Sequence, residues 1–203
     1  MTTPELLIAT RNEGKAREFA QMLRDFPLRV RGLAEFPDTT EVEETGATFA
    51  ENASLKARAY AAQTGLWTLA DDSGLEVEAL GGAPGVYSAR YGGLLTDAER
   101  TAHLLEELAR TGDPERRARF VCVIALSLPP APDIRLFEET CEGRIARAPL
   151  GGFGFGYDPV FVPDGHRHTF GELPANAKDQ LSHRARALRK ALDFLRQMLR
   201  DTT

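Results

Sequence analysis

"ELLIATRNEGKAREFAQMLRDFPLRVRG", Glu5–Gly32, decides the fold class. "ELLIA" is a short apolar run and reads as a strand. "TRNEG" is a turn-rich break. "KAREFAQMLRDF" then places Phe19, Met22, Leu23 and Phe26 at helical spacing, with Lys15 opening the helix. "LRVRG" alternates like a half-buried strand. Strand, loop, helix and strand in this order point to an α/β protein with a mixed sheet.

The pattern continues along the chain. After the acidic loop "PDTTEVEETG", Thr48 and Glu51 form a capping box that predicts a helix to about Gln63, stopped at Gly65. "LWTLA" is a strand expected to end in Asp71 and Asp72. Thr96 and Glu99 form a second capping box, opening a helix to about Arg110. "ARFVCVIALSL" and "IRLFEETCEGRIA" read as two long strands joined by the loop "PPAPD". A last helix is expected from Ser182, with Leu181, Ala185, Leu188, Leu192, Leu195 and Leu199 on one stripe. There is no internal repeat, low-complexity tract or interdomain linker.

A chain of 203 residues with 42% hydrophobic and 27% charged residues suits one soluble globular domain, with room for a subdomain. A formal net charge of −5 argues against a general nucleic-acid binder. Cys122 and Cys141 lack metal-like spacing and fit reduced thiols. No apolar run approaches membrane-spanning length, and the N-terminus lacks signal-peptide features. The expectation is a cytoplasmic protein with neither a nucleic-acid nor a membrane partner.

Five stretches could carry chemistry. "TRNEGK" lies between a strand and a helix, where Thr10, Asn12, Lys15 and backbone amides would suit a phosphate. On spacing alone, a solvated turn with an exposed lysine is the plainer account. On the Thr48 helix, Asn52 and Lys56 share a face with Phe49, Ala53 and Tyr60, so Lys56 either snorkels to water or meets an anion. In "ADDSG", successive strand side chains point to opposite faces, so Asp71 and Asp72 need not share one environment. A carboxylate at a strand's end suits Mg²⁺, and Glu41, Glu43 or Glu44 could add a second ligand. A solvated acidic turn explains the glutamates just as well.

"GGFGFGYDPVF" alternates Gly152, Gly154 and Gly156 with Phe153, Phe155 and Tyr157. If extended, it would offer a flat aromatic side for stacking a nucleobase, at roughly 1–3 kcal/mol per base. A packed core strand is the alternative. Finally, "KDQLSHRARAL" puts His183 and Arg184 at a helix start, where positive charge opposes the dipole unless it faces an electron-rich ligand.

Together "ATRNEGK", "EETGATFAENASLKA", "ADDSGLEVEALGGAPGVYSARYGG", "GFGYDPVF" and "KDQLSHRARAL" resemble the inosine triphosphate pyrophosphatase family, in order and from Leu7 to Leu188. The resemblance implies an elongated mixed β-sheet flanked by helices, two lobes with a central substrate cleft in a single domain over residues 1–203, and a homodimer. It implies Mg²⁺-dependent hydrolysis of nonstandard purine nucleoside triphosphates to the monophosphate and pyrophosphate. Residue by residue, it puts Thr10, Arg11, Asn12, Glu13, Gly14 and Lys15 on the triphosphate. Asp72 and Glu44 fall at the metal, with Asp72 also as base for the attacking water. Lys56 neutralises phosphate charge, and Ser73 lies beside the substrate. Phe155, Gly156, Tyr157, Asp158, Lys178, His183 and Arg184 surround the base. A noncatalytic nucleotide-binding regulator would keep the lysines and aromatics without needing the carboxylates. A phosphotransferase would need an acceptor site and a nucleotide loop not found in the sequence.

Overall fold

A computed structural model describes residues 4–130 and 133–201. Within the "PPAPD" loop, Ala131 and Pro132 lie outside the described residues. Six strands form one sheet in the order β2-β1-β3-β4-β5-β6: β1 Glu5–Ile8, β2 Arg29–Gly32, β3 Trp67–Val77, β4 Arg117–Ser127, β5 Ile134–Ile145 and β6 Phe161–Pro163. Strand β1 pairs in parallel with β2 and with β3, while β5 and β6 pair antiparallel, so the sheet is mixed as expected. Among the described residues five α-helices accompany it: α1 Glu13–Met22, α2 Phe49–Thr64, α3 Asp97–Thr111, α4 Ala175–Leu181 and α5 His183–Asp201.

Both capping boxes form. Thr48 Oγ1 accepts from the Glu51 amide and Thr96 Oγ1 from the Glu99 amide, each reciprocated by the glutamate. Gly65 ends α2. Helix α1 starts two residues earlier than the apolar spacing predicts, because the Asn12 side chain caps it by accepting the Lys15 amide at 3.0 Å. It stops at Met22, so Phe26 reaches the core from outside the helix.

Strand β3 departs most from expectation. It does not end at the aspartates but runs on through Asp71, Asp72, Ser73 and Gly74 to Val77. The last helix is also different. A short helix, α4, precedes it and contains Leu181. Ser182 adopts extended backbone between the two and accepts the Ala185 amide on its hydroxyl, so α5 begins at His183.

The chain divides into two compact units, each with its own core. Unit 1 comprises residues 1–72, 122–138 and 187–203, and unit 2 comprises residues 73–121 and 139–186. In unit 1, Leu6, Ile8, Phe19, Leu69, Ile124 and the α5 stripe Leu188, Leu192 and Leu195 are buried together. In unit 2, Leu75, Leu104, Leu108, Phe120, Tyr157, Phe161 and Phe170 do the same. Cys122 and Cys141 are buried in different units, and burial pushes the Cys141 thiol up to about 11. Among the described residues no helix is long and apolar enough to cross a membrane.

Candidate functional site

In unit 1 the site is built on β3. Asp71 and Asp72 are only 2% and 5% exposed. Two buried carboxylates in sequence are tolerable because the pleat turns them to opposite faces, where each meets its own lysine. From α1, Lys15 Nζ lies 2.9 Å from Asp71 Oδ2. From α2, Lys56 Nζ lies 3.1 Å from Asp72 Oδ1 and 2.5 Å from Glu44 Oε1. Lys56 therefore does not snorkel; it bridges two carboxylates. One turn back on α2, fully buried Asn52 donates its amide to Asp72 Oδ2 at 3.2 Å. Its own carbonyl oxygen accepts the Gly46 amide at 2.7 Å. Gly46 has to be small: a Cβ there would stand 2.7 Å from that oxygen and 2.6 Å from the Glu51 Cβ.

Electrostatics favour a cation here. Burial, counteracted by Lys56 and Lys15, leaves the Asp72 carboxyl above its usual range. Burial also works against the Lys56 charge, but Asp72, Asp71 and Glu44 outweigh it and hold its pKa above the ordinary lysine value. Lys15 and Lys56, two positive groups, face Glu44, Asp71 and Asp72, three carboxylates. Among the described residues no three His, Cys, Asp or Glu side chains gather as a cage. Hard carboxylates suit Mg²⁺, which takes one or two of them and fills its shell with water and phosphate. Glu44 and Asp72 are the pair able to hold it. Glu41 and Glu43 are exposed and join no ion pair with Lys56.

The 10–15 loop is partly spoken for. The Asn12 amide donates to Thr10 Oγ1 at 3.2 Å, and the Lys15 amide to Asn12, so neither can hold an anion without exchanging partners. Arg11 donates to the Thr39 carbonyl, and Glu13 is exposed in the first turn of α1 with Gly14 beside it.

Unit 2 gathers a second cluster. The "GGFGFGY" stretch is not extended. Gly151, Gly154 and Gly156 have positive φ and fold it into turns, so its aromatic rings do not share one flat side. Phe153 is 60% exposed, whereas Tyr157 is buried in the core and donates its hydroxyl to the Ser88 carbonyl at 3.0 Å. Phe155, between them, has Lys178 Nζ 4.6 Å and Arg184 Cζ 5.7 Å from its ring centre. Lys178 Nζ is 2.5 Å from the buried Asp158 carboxylate. Arg184 donates to Ser73 Oγ at 2.7 Å, and His183 stacks on Phe120 with ring centres 4.7 Å apart. His183 and Arg184 occupy the first turn of α5, as the sequence places them, but they are buried rather than solvated.

By fold and site this is a mixed-sheet α/β protein in which one lysine bridges a carboxylate on a central strand and a second carboxylate from the loop before α2. Comparison with known proteins narrows that class. The Ham1 family model matches residues 6–194. The chain is 50% identical over 187 residues, 92% of this chain and 91% of the relative, to a dITP/XTP pyrophosphatase of Geobacillus kaustophilus. It is 48% identical to one of Desulforamulus reducens, over 96% of both chains. A solved HAM1 protein from Coxiella burnetii superposes with a TM-score of 0.88 at 44% identity, over 96% of this chain and all of the other. The chain belongs to the Ham1 family. The family resemblance carried by the five motifs is borne out by these relatives.

Asn52 belongs with the site residues although the resemblance did not carry it there. Its signal was present in the sequence: it sits one helical turn from Lys56 on the same face.

Proposed function

We propose that the chain hydrolyses nonstandard purine nucleoside triphosphates (ITP, dITP and XTP) between the α- and β-phosphates, giving the monophosphate and pyrophosphate. The observation that carries this reading is the Glu44–Lys56–Asp72 cluster of unit 1. Its support is the likeness to dITP/XTP pyrophosphatases about half identical to the chain. The residue roles are part of the proposal. The loop Thr10 to Lys15 binds the triphosphate, and Lys56, held as ammonium by its carboxylates, offsets phosphate charge. Asp72 takes the proton of the attacking water. Asn52 orients that carboxylate through its Oδ2. Glu44 and Asp72 would hold Mg²⁺, which would supply charge neutralisation for the phosphate oxygens. Ser73 lies beside the substrate and fixes Arg184. Phe155 to Asp158, Lys178, His183 and Arg184 take the base. A homodimer working in the cytoplasm, and residues 1–203 acting as one functional domain, complete the reading.

The test is product analysis with ITP and Mg²⁺. Pyrophosphate with stoichiometric IMP is expected. Orthophosphate release would replace this function with a phosphatase, and no release of either would leave a phosphotransferase or a nucleotide-binding regulator.

Base selectivity gives a further expected result. Arginine only donates hydrogen bonds, so Arg184 pairs with the 6-keto oxygen of hypoxanthine and xanthine and confronts the 6-amino group of adenine donor to donor. Loss of a charged donor facing a buried acceptor costs about 1.5–3 kcal/mol, or roughly 10–10²-fold in rate. Arg184→Ala should lower kcat/KM for ITP by that factor and for ATP far less, narrowing their ratio. Equal losses on both substrates would make Arg184 a phosphate or structural residue. Guanine also carries a 6-keto group, so Arg184 does not exclude GTP.

A further inference from the structure

Phe155 stands in a turn that its own sequence leaves loose. Gly154 and Gly156 flank it, with φ of +75° and +60°. Glycine has wide backbone freedom, so a turn with one on each side of the ring needs outside anchors to hold one conformation. The structure supplies them from two directions. Below the ring, Asp158 Oδ2 accepts the Phe155 amide at 2.8 Å while paired with Lys178. Gly154 is pressed against that carboxylate so closely that a Cβ would stand 2.0 Å from Oδ2.

The second anchor comes from α3. Asp97 Oδ2 accepts the Gly156 amide at 2.7 Å, and Thr101 Oγ1 donates more weakly to the Gly156 carbonyl at 3.5 Å. Asp97 is itself fixed. Its other oxygen, Oδ1, pairs with Arg100, and the Arg100 guanidinium also donates to the carbonyls of Leu94 and Leu95 at 2.9 and 2.8 Å. A continuous set of charge-assisted bonds therefore runs from the turn preceding α3, through Arg100 and Asp97, to the peptide that follows Phe155. The Asp97 side chain is about half exposed, and its recorded partners are Arg100 and the Gly156 amide. The helix start did not require an aspartate at this position, because Thr96 and Glu99 already cap it.

We propose that Asp97 is a positioning residue for nucleobase binding: by holding the Gly156 amide it sets the orientation in which Phe155 presents its ring. This rests on the reading of Phe155 as the surface that stacks the base. A ring held in its binding orientation before the ligand arrives does not have to be ordered on binding, so the effect falls on affinity. It should fall on purines alike, since every base offers a stacking face.

The experiment compares Asp97→Ala, Asp97→Asn and Phe155→Ala with the intact protein. KM and kcat are measured for ITP and ATP, and IMP binding is measured by calorimetry. Asp97→Ala should raise KM for both substrates, and the Kd for IMP, by about tenfold with kcat within about twofold. Asp97→Asn keeps an acceptor oxygen and should return KM to near the wild-type value. A purely structural aspartate would lower Tm and leave KM and Kd unchanged, and that result overturns the proposal. If Phe155→Ala raises KM while Asp97→Ala does not, the positioning role falls and the stacking role stands. If Phe155→Ala leaves KM and Kd unchanged, both fall together. Should Asp97→Ala not fold, Asp97→Ser, too short to reach the amide, is read for the same outcomes.

Discussion

Asp72→Asn should lower kcat for ITP by roughly 10²-fold or more while leaving the protein folded. The substitution keeps the shape of a buried side chain that sits between Lys56 and Asn52. Breaking a buried ion pair normally costs about 3–5 kcal/mol, because one charge is left without a partner. Here Lys56 keeps Glu44 at 2.5 Å, so its ammonium is not stranded. The desolvation that raises the Asp72 carboxyl is relieved at the same time. These effects oppose each other, and Tm should move by only a few degrees. Rate has no such compensation: an amide accepts no proton from water and is a poor ligand for a hard cation. Circular dichroism with a pyrophosphate-release assay separates the two readouts. Near-normal turnover by the Asn variant would remove Asp72 from the chemistry.

Chelation should have the largest effect of all: activity lost in EDTA and restored by added Mg²⁺. The reason is charge. A triphosphate brings several negative charges to a cluster in which two lysines already face three carboxylates. Lys15 and Lys56 cannot neutralise both the carboxylates and the phosphates, and like charges in a partly desolvated site repel strongly. Calcium should substitute poorly, since it prefers more ligands at longer and looser distances than two carboxylates and a phosphate provide. Turnover by thoroughly chelated enzyme at the rate of the Mg²⁺-supplemented protein would contradict the metal role. It would leave Lys15 and Lys56 as the cations that act on the phosphates.

These expectations draw on features of very different legibility. The α/β class, the mixed sheet and the starts of α2 and α3 were open to reading because their causes are local. A capping box needs only residues three apart, and an amphipathic stripe needs only its own helix. The neighbourhood of Asn52 and Lys56 was legible for the same reason: one helical turn puts them on one face.

The continuation of β3 through Asp71 and Asp72 was not legible. In sequence, two adjacent carboxylates after an apolar run mark the end of burial. In the folded chain Lys15 reaches one of them from α1, and Lys56 and Glu44 surround the other from α2 and its preceding loop. Once each charge has a partner on its own face, the strand can continue. The glycine–aromatic stretch failed for a related reason. Alternation suggested an extended strand, but glycine accepts left-handed backbone at little cost, and the turns are held by Asp158 from within the stretch and by Asp97 from a position distant in sequence. The sequence by itself determined the α/β class, most of the longer elements, where two of the helices begin, and the family to which the chain belongs. Only the tertiary structure decided which charges neutralise one another and which ring is held for a ligand, because burial and long-range pairing set the cost of each charge and each turn.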